Sequence, residues 1–297
     1  MTFERGDQKV LMSDWTRYLP ERFRASVVPV VRLSGTIGAV TPLRPGLTLA
    51  GVSKTLDKAF ETKRAQAVAL VINSPGGSPV QSRQIYTRIR QLAAAKGIPV
   101  LAFVEDVAAS GGYMIACAAD EIFCDPSSIL GSVGVIGGTF GFQDFIKRFG
   151  IERRVYTSGE HKSSLDPFLP ENPDDVARLK AIQRDIHDDF IALVKRSRGA
   201  RLKGEEAYLF SGEYWAGNRS IELGLADAIG DLRGVLRARF GETVRMPVIA
   251  PKSGLLANLS GRKPGAGAMI AAGLGAGFGD DLISAIEARA LWARYGL

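Results

Sequence analysis

The stretch DVAASGGYMIACAADEIFCD, residues 106–125, carries the most information about the fold of this chain. An apolar run ends in Ser110, two glycines follow, and small apolar residues then lead to EIFCD. This order predicts a buried strand, a tight turn, a short helix over residues 112–119 and a second strand. Ser110 is therefore either a nucleophile displayed on a strand-to-helix turn or only the small residue that such a turn requires.

The same alternation of apolar runs and helical patterns extends outward in both directions. Apolar strand patterns followed by helices predict an α/β fold, in which helices cover a parallel sheet. Pro173, followed by two acidic residues, is typical of a helix start. The predicted strands are VVPVVRLSG, AVALVINS, GIPVLAFVED, EIFCD, ILGSVGVIGG and IERRVYTSG, and the predicted helices cover residues 49–64, 79–95, 112–119, 142–149 and 173–198, with helix, strand and helix again over 205–240.

The composition is that of a globular protein with a real core. Of the 297 residues, 46% are hydrophobic and 23% are charged, which excludes a disordered tail or a fibre. Cys117 and Cys124 make neither a metal-ligand set nor a disulfide framework, and we interpret both as buried thiols. The net charge of +7 arises from Lys and Arg interleaved with Asp and Glu, which favours a solvated basic surface over a nucleic-acid partner.

The chain divides into three predicted parts: an N-terminal extension at 1–25, a domain at 26–245 and a Gly/Ala-rich tail at 246–297. The extension has no apolar run typical of a signal peptide or a membrane anchor. The longest apolar stretch, residues 265–279, is too short and too rich in glycine to span a bilayer as a helix. We therefore expect a cytoplasmic protein, with peripheral membrane association as the alternative to a fully soluble one.

Two glycine turns, at residues 74–77 and 110–112, follow successive predicted strands. In a parallel sheet both turns lie at the carboxyl edge, where open α/β sheets bind ligands. Glycine lets backbone N–H groups approach a carbonyl oxygen, which is what an oxyanion hole needs. A serine at a helix N-terminus also lies where developing negative charge is favoured. Together the turns favour the interpretation of Ser110 as a nucleophile.

A serine nucleophile needs a base. The chain has two histidines, His161 and His187, but neither lies in a turn that favours a Ser-His-Asp triad, and His187 falls in the predicted long helix, where a surface position is the default. The alternative base is a lysine kept neutral by burial. Lys162, in YTSGEHKSSLDPF, is the candidate because small, hydroxylated and apolar residues surround it; a lysine in a polar loop is otherwise a solvated surface residue.

Four blocks occur in a family-specific order: VINSPGG, AASGGYMIACAADEIF, ILGSVGVIGG and SGEHKSSLDPF. Through them the chain resembles the signal peptide peptidases of the SppA type, the S49 serine peptidases, in their short single-repeat form. The resemblance covers residues 26–240. It implies an α/β fold like that of Clp protease and the crotonases, with parallel sheets, surrounding helices and repeated ββα-type units. Members commonly begin with a membrane-spanning helix, which this sequence does not predict.

The resemblance implies a catalytic pair. The family's nucleophile corresponds to Ser110 and its general-base lysine to Lys162, while Ser132 corresponds to the serine that hydrogen-bonds and orients that lysine. His161 is not part of the family's pair. Adjacent residues on an extended segment point to opposite sides, so His161 and Lys162 cannot both face Ser110.

The resemblance also implies oxyanion donors in the first turn, at Gly76 or Gly77, and directly after the nucleophile, at Gly111. No metal and no cofactor is implied. The expected reaction is hydrolysis of peptide bonds in extended apolar or small-residue segments, such as signal peptide remnants or unfolded and membrane-derived peptides. Two alternatives are a crotonase-like acyl-CoA enzyme that uses Glu105 or Asp106 as acid and base, and a catalytically silent oligomeric scaffold.

Two further expectations concern assembly and the tail. Along the long helix, apolar residues recur at spacings of three and four and form one stripe, for which we expect a homo-oligomer, with a closed ring as the favoured form. Residues 254–279 are small, apolar and rich in glycine, and we expect them to enter a cleft as an internal competitor or a self-cleavage substrate. The stripe consists of Val176, Leu179, Ile182, Ile186 and Phe190.

Overall fold

The computed structural model describes residues 25–38, 46–250 and 289–297. Strands and helices alternate over residues 30–124 and again over 214–240, as the sequence pattern predicts; between them one more strand and then helices follow. Residues 289–293, near the C-terminus, are also helical. The elements are β1 (Val30–Ser34), α1 (Leu49–Phe60), β2 (Val68–Ser74), α2 (Pro79–Lys96), β3 (Val100–Ala109), α3 (Gly111–Ala116), β4 (Glu121–Cys124), β5 (Ile129–Gly131), α4 (Gln143–Arg148), α5 (Pro173–Arg198), α6 (Glu206–Leu209), β6 (Tyr214–Ala216), α7 (Gly217–Glu222), β7 (Ala228–Ile229) and α8 (Leu232–Phe240).

A seven-stranded sheet forms the centre of the described residues. Its main path is β1-β2-β3-β4-β7, and β5 and β6 extend from β3. All pairings are parallel except the one between β5 and β6. On one side, β3 pairs with β4 over residues 101–104 and then with β5 over residues 107–109. The expected α/β class, with a parallel sheet flanked by helices, is confirmed.

Two apolar cores cover the two faces of the sheet. Along β2, Leu70 and Ile72 point into the larger core, which includes α2 residues such as Ile85. The intervening Ala69 and Val71 point into the smaller core with side chains of α8. This alternation has the period of two that a strand imposes. Because both faces are covered, β2 is apolar along almost its whole length, as the sequence pattern requires.

The long helix α5 begins where the sequence predicts. Asn172 caps it, because the side chain accepts a hydrogen bond from the N–H of Asp174 at 2.9 Å, and Pro173 occupies its first turn. The predicted uncovered stripe is wrong at one end: Phe190 is buried in the larger core. Ile182, by contrast, is 57% exposed.

Some local predictions differ from the structure. Residues 151–157 form no strand, and their side chains are exposed; no described strand pairs with them. The helix predicted at 49–64 ends at Phe60, and the one predicted at 112–119 ends at Ala116. Both cysteines are buried and unpaired, as predicted.

The ends of the chain are described in part. The predicted extension, apart from Ala25, and the tail segment 254–279 lie outside the described residues. Residues 247–249 run beside the start of β1: the N–H of Val30 donates to the carbonyl of Pro247 at 2.9 Å, and the N–H of Ile249 donates to the carbonyl of Val30 at 2.8 Å. Among the helices of the described ranges, none is both long and apolar enough to cross a membrane.

Candidate active site

Ser110 lies at the junction between β3 and α3, with its side chain half-buried. Its backbone has φ 51° and ψ −122°, a conformation that costs a non-glycine residue about 1–3 kcal/mol and is concentrated at functional sites. The strain is held by hydrogen bonds on both sides: the Ser110 N–H donates to the carbonyl of Gly131 at 2.9 Å, and its carbonyl accepts from Met114 at 3.0 Å. The turn therefore displays the hydroxyl at the carboxyl edge of the sheet.

The glycine turn after β2 presses directly against Ser110. A Cβ atom on Gly76, whose φ is 102°, would lie 2.8 Å from the Cβ of Ser110 and 2.9 Å from the carbonyl oxygen of Ala109. Only glycine fits this approach. The predicted proximity of the two turns is therefore present.

Ser132 follows β5 and has the same unusual backbone sign, with φ 53°. Its N–H donates to the carbonyl of Glu213 at 2.7 Å, and the residue is only 6% exposed. Ser110 and Ser132 line one cavity of about 410 Å³. The structure thus brings together the two serines that the sequence singles out.

His187 also lines this cavity, contrary to the default surface position expected from the sequence. It is half-buried on α5, and its Nε2 lies 2.9 Å from the carbonyl oxygen of Val133. Because a carbonyl only accepts, Nε2 carries the proton in this contact. His187 therefore fastens the residue after Ser132 to the long helix. A signal was available: residue 187 lies three positions before the buried Phe190, on the same side of the helix.

Lys162 and His161 are exposed and lie in a turn. The N–H of Lys162 donates to the carbonyl of Gly159 at 3.2 Å, and neither side chain is among those that line the cavity with Ser110. Lys162 as the base remains a prediction.

The segment that carries Lys162 is unusually apolar for an exposed one. We call residues 136–172 the arm. Phe140 is 75% exposed and Tyr156 is 91% exposed. Other large exposed hydrophobic residues of the arm are Ile136, Phe142, Phe145, Phe149, Ile151, Val155 and Leu169.

The carboxylates named for the crotonase alternative are engaged elsewhere. Glu105 pairs with Arg32 at 2.6 Å, and Asp106 accepts a hydrogen bond from Asn73 at 2.6 Å. Neither carboxylate lines the cavity of Ser110. Among the residues that the structure describes, no group of three or more His, Cys, Asp or Glu side chains could hold a metal ion.

Serine hydrolases on α/β sheets display their nucleophile on a strand-to-helix turn of this kind. The model of peptidase family S49 matches residues 93–240. A putative protease of Synechocystis sp. (strain PCC 6803) is 30% identical over 188 residues, which are 62% of this chain and 67% of that protein. The chain belongs to peptidase family S49.

Of two further similarities, one covers more of this chain and the other is weaker. A protein of Brucella abortus (strain 2308), named Na(+)/H(+) antiporter NhaA, is 52% identical over 285 residues, which are 95% of this chain and 39% of that protein. The chain thus spans well under half of that relative, whose greater part lies outside the match. The solved structure of the 1510-N membrane-bound stomatin-specific protease is similar at 17% identity and a TM-score of 0.48, covering 77% of this chain and 99% of that chain.

Proposed function

We propose that this chain is a serine endopeptidase with a Ser-Lys dyad. Ser110 attacks a peptide carbonyl, the neutral amine of Lys162 takes the serine proton, and the resulting ammonium then gives a proton to the leaving amine. The observation that carries the proposal is the strained Ser110 turn with Gly76 packed against it. Such strain is retained where the surrounding structure fixes a reactive group.

The proposed oxyanion donors are backbone N–H groups that are not already engaged in a hydrogen bond. The N–H of Gly76 already donates to the Oγ of Ser74 at 3.2 Å. Within the described residues, the N–H of Gly77 has no hydrogen-bond partner. Gly111 begins α3, so its N–H is one of the first-turn groups that no helical carbonyl satisfies. Gly77 and Gly111 are therefore the favoured pair of donors.

Ser132 is proposed to orient the lysine. Its hydroxyl is buried beside the cavity that Ser110 lines, and a buried hydroxyl can hold an amine by accepting one of its N–H groups. The dyad requires the arm to bring Lys162 to the Ser110 cavity of its own chain or of a neighbouring copy. Lys162 is exposed in the single chain, so it is accessible both to the cavity of its own chain, after movement of the arm, and to that of a neighbouring copy.

The proposed substrates are extended peptides or unfolded proteins with small or apolar side chains. Val135 and Ile136 line the cavity together with Ser110, and Ile136 is 72% exposed. These two side chains form the apolar part of a lining that is otherwise polar or glycine, and apolar contact surface beside polar groups is typical of ligand sites. Signal peptide remnants and membrane-derived peptides belong to this substrate class.

We also propose a homo-oligomer, with a ring as the favoured form. Exposed aromatic residues recur along the arm, and Ile182 of α5 is exposed as well. Apolar surface of this extent favours burial in an interface. Sedimentation should show a species larger than one chain at micromolar concentration, and Phe145→Glu together with Phe149→Glu should shift it toward the monomer. A monomer in the unchanged protein would contradict the assembly.

The dyad is tested by hydrolysis of an unstructured protein such as casein, with cleavage sites read by mass spectrometry. Ser110→Ala and Lys162→Ala should each lower kcat by at least about 10³-fold, whereas His161→Ala, one position away, should keep most of it. Circular dichroism checks that each variant folds. If His161→Ala were as inactive as Lys162→Ala, the lysine assignment would be wrong; full activity in Ser110→Ala would overturn the proposed function.

A further inference from the structure

The C-terminal residues 289–297 pack beside the two serines of the site. Tyr295 is only 7% exposed, and it shares an apolar cluster with Val107 and Ala109, the residues of β3 that lead to Ser110. Trp292, partly buried, packs against the same cluster. The last residues of the chain therefore form part of the wall of the candidate site.

Tyr295 makes a specific polar contact as well. Its hydroxyl donates a hydrogen bond to the Oγ of Ser132 at 3.2 Å, across 163 positions of sequence. The ring is held edge-on against Tyr214, with centroids 5.0 Å apart, and the Tyr214 hydroxyl donates to the carbonyl of Arg294 at 3.1 Å. The Tyr214 hydroxyl thus bonds only to the backbone of the segment, and its ring contact with Tyr295 does not depend on that hydroxyl, whereas the Tyr295 hydroxyl reaches Ser132.

A serine hydroxyl has one proton to donate and two lone pairs that accept. Because Tyr295 occupies one lone pair of Ser132, the directions open to the other lone pair and to the hydroxyl proton are restricted. One lone pair remains for an N–H of a lysine amine. An amine that donates to Ser132 in this way cannot rotate freely, so the direction of its own lone pair is fixed by the site.

We propose that Tyr295 is a positioning residue that acts through Ser132, so that the C-terminal segment completes the site. The inference rests on the proposed function, since it concerns the serine that orients the base. Acceleration comes from fixing the geometry of reacting groups before the reaction. The other contacts of the Ser132 turn, with Glu213 and His187, involve backbone atoms of residues 132 and 133 and not the Ser132 hydroxyl.

The geometry favours this role over that of a plug that blocks the nucleophile. Tyr295 contacts Ser132 through its hydroxyl, while Ser110 stays half-exposed and lines an open cavity. Of the C-terminal residues in the described part of the chain, Arg294 lines that cavity and is itself exposed. The segment therefore lies beside Ser110 and leaves it accessible.

The test compares Tyr295→Phe with the matched control Tyr214→Phe in the full chain. Both changes remove one hydroxyl from the same aromatic pair, but only the first removes the hydrogen bond to Ser132. Tyr295→Phe should lower kcat by about tenfold, the effect of one positioning hydrogen bond, with KM and the melting temperature nearly unchanged. Tyr214→Phe should keep kcat within about twofold.

A double-mutant comparison shows whether the effect passes through Ser132. If it does, Tyr295→Phe should cause no further loss of kcat in a Ser132→Ala background. A rise in activity in Tyr295→Phe would identify a competitor and overturn the inference, as would an equal loss in both tyrosine variants or an additive loss in the Ser132→Ala background. A wild type without Ser110-dependent hydrolysis would overturn the proposed function, and the inference would fall with it.

Discussion

Ser110 and Ser132 directly follow Ala109 and Gly131, two residues that pair with each other across the adjacent parallel strands β3 and β5. Both serines have a positive φ, 51° and 53° respectively. Because Ala109 and Gly131 lie side by side in the sheet, the backbone leaves both strands at the same level. The side chains of Ser110 and Ser132 therefore line one cavity. Two strained non-glycine residues in such a position indicate a site whose geometry is fixed by the fold.

If Ser110 acts as proposed, Gly76→Ala should abolish hydrolysis. The new methyl group would lie 2.8 Å from the Cβ of Ser110, so the turn or the serine must move. Displacement of the proposed oxyanion donors should cost about 10²–10³-fold in kcat, measured with a fluorogenic peptide. The matched control is Gly97→Ala: this glycine also has a positive φ, 62°, but open space around it. The Gly97→Ala variant should lose about 1–2 kcal/mol of stability, the cost of a left-handed backbone for a residue with a Cβ, and keep its activity. Equal kcat/KM in the two variants would contradict a role of the Gly76 turn in the site.

His187→Ala should lower kcat/KM by about tenfold, because it removes the hydrogen bond that holds the carbonyl of Val133. His187→Gln retains an N–H donor and should recover part of the loss. His161→Ala is the control, since His161 is exposed and does not line the cavity. If His187 were instead the general base, His187→Ala would be as inactive as Ser110→Ala and glutamine would restore nothing.

The sequence predicts the elements better than their contacts. Strands and long helices follow from periodicity, and the two glycine turns meet because successive parallel strands end at one edge. The pairing of β3 with two different strands on one side depends on tertiary packing that no local pattern encodes. Tyr295 is the clearest case: its contact with Ser132 spans 163 positions. The position of Lys162 relative to Ser110 is likewise not determined by its motif.

The two thiols should be unreactive in the folded protein. Burial raises the pKa of Cys117 to about 11 and that of Cys124 to about 11, so very little thiolate, the reactive form, is present at pH 8. Ellman's reagent should therefore label neither thiol in the native state and both after denaturation. N-ethylmaleimide should leave peptidase activity unchanged. Rapid labelling of native protein with loss of activity would instead point to a cysteine at the site.

The last prediction concerns the buried ion pair that anchors the end of α5. The Arg198 side chain is fully buried and makes a two-pronged contact with Asp227 at 2.8 Å and 2.9 Å. Its Nε also donates to the carbonyl of Gly224 at 2.8 Å. Arg198→Met removes these three hydrogen bonds, while Asp227 keeps those from Arg201 and from the N–H of Ile122. The change should therefore cost about 3 kcal/mol in urea unfolding, the lower end of the range for breaking a buried pair. Arg219→Met, in the exposed pair with Glu222, should cost less than about 1 kcal/mol.

The pH dependence gives this prediction a second readout. Burial alone would raise the pKa of Asp227, but hydrogen bonds from Arg198 and from the N–H of Ile122, with the charges of Arg198 and Arg201, outweigh it and lower the pKa. A carboxyl whose pKa is lowered by folding stabilises the protein above its unfolded pKa of about 4, and this contribution is lost as the pH falls through the folded value. At pH values below about 4, the melting temperature of the wild type should therefore decrease, and part of this decrease should be absent in Arg198→Met. An Arg198→Met variant as stable as Arg219→Met, with the same acid dependence as the wild type, would show that the pair does not anchor the helix.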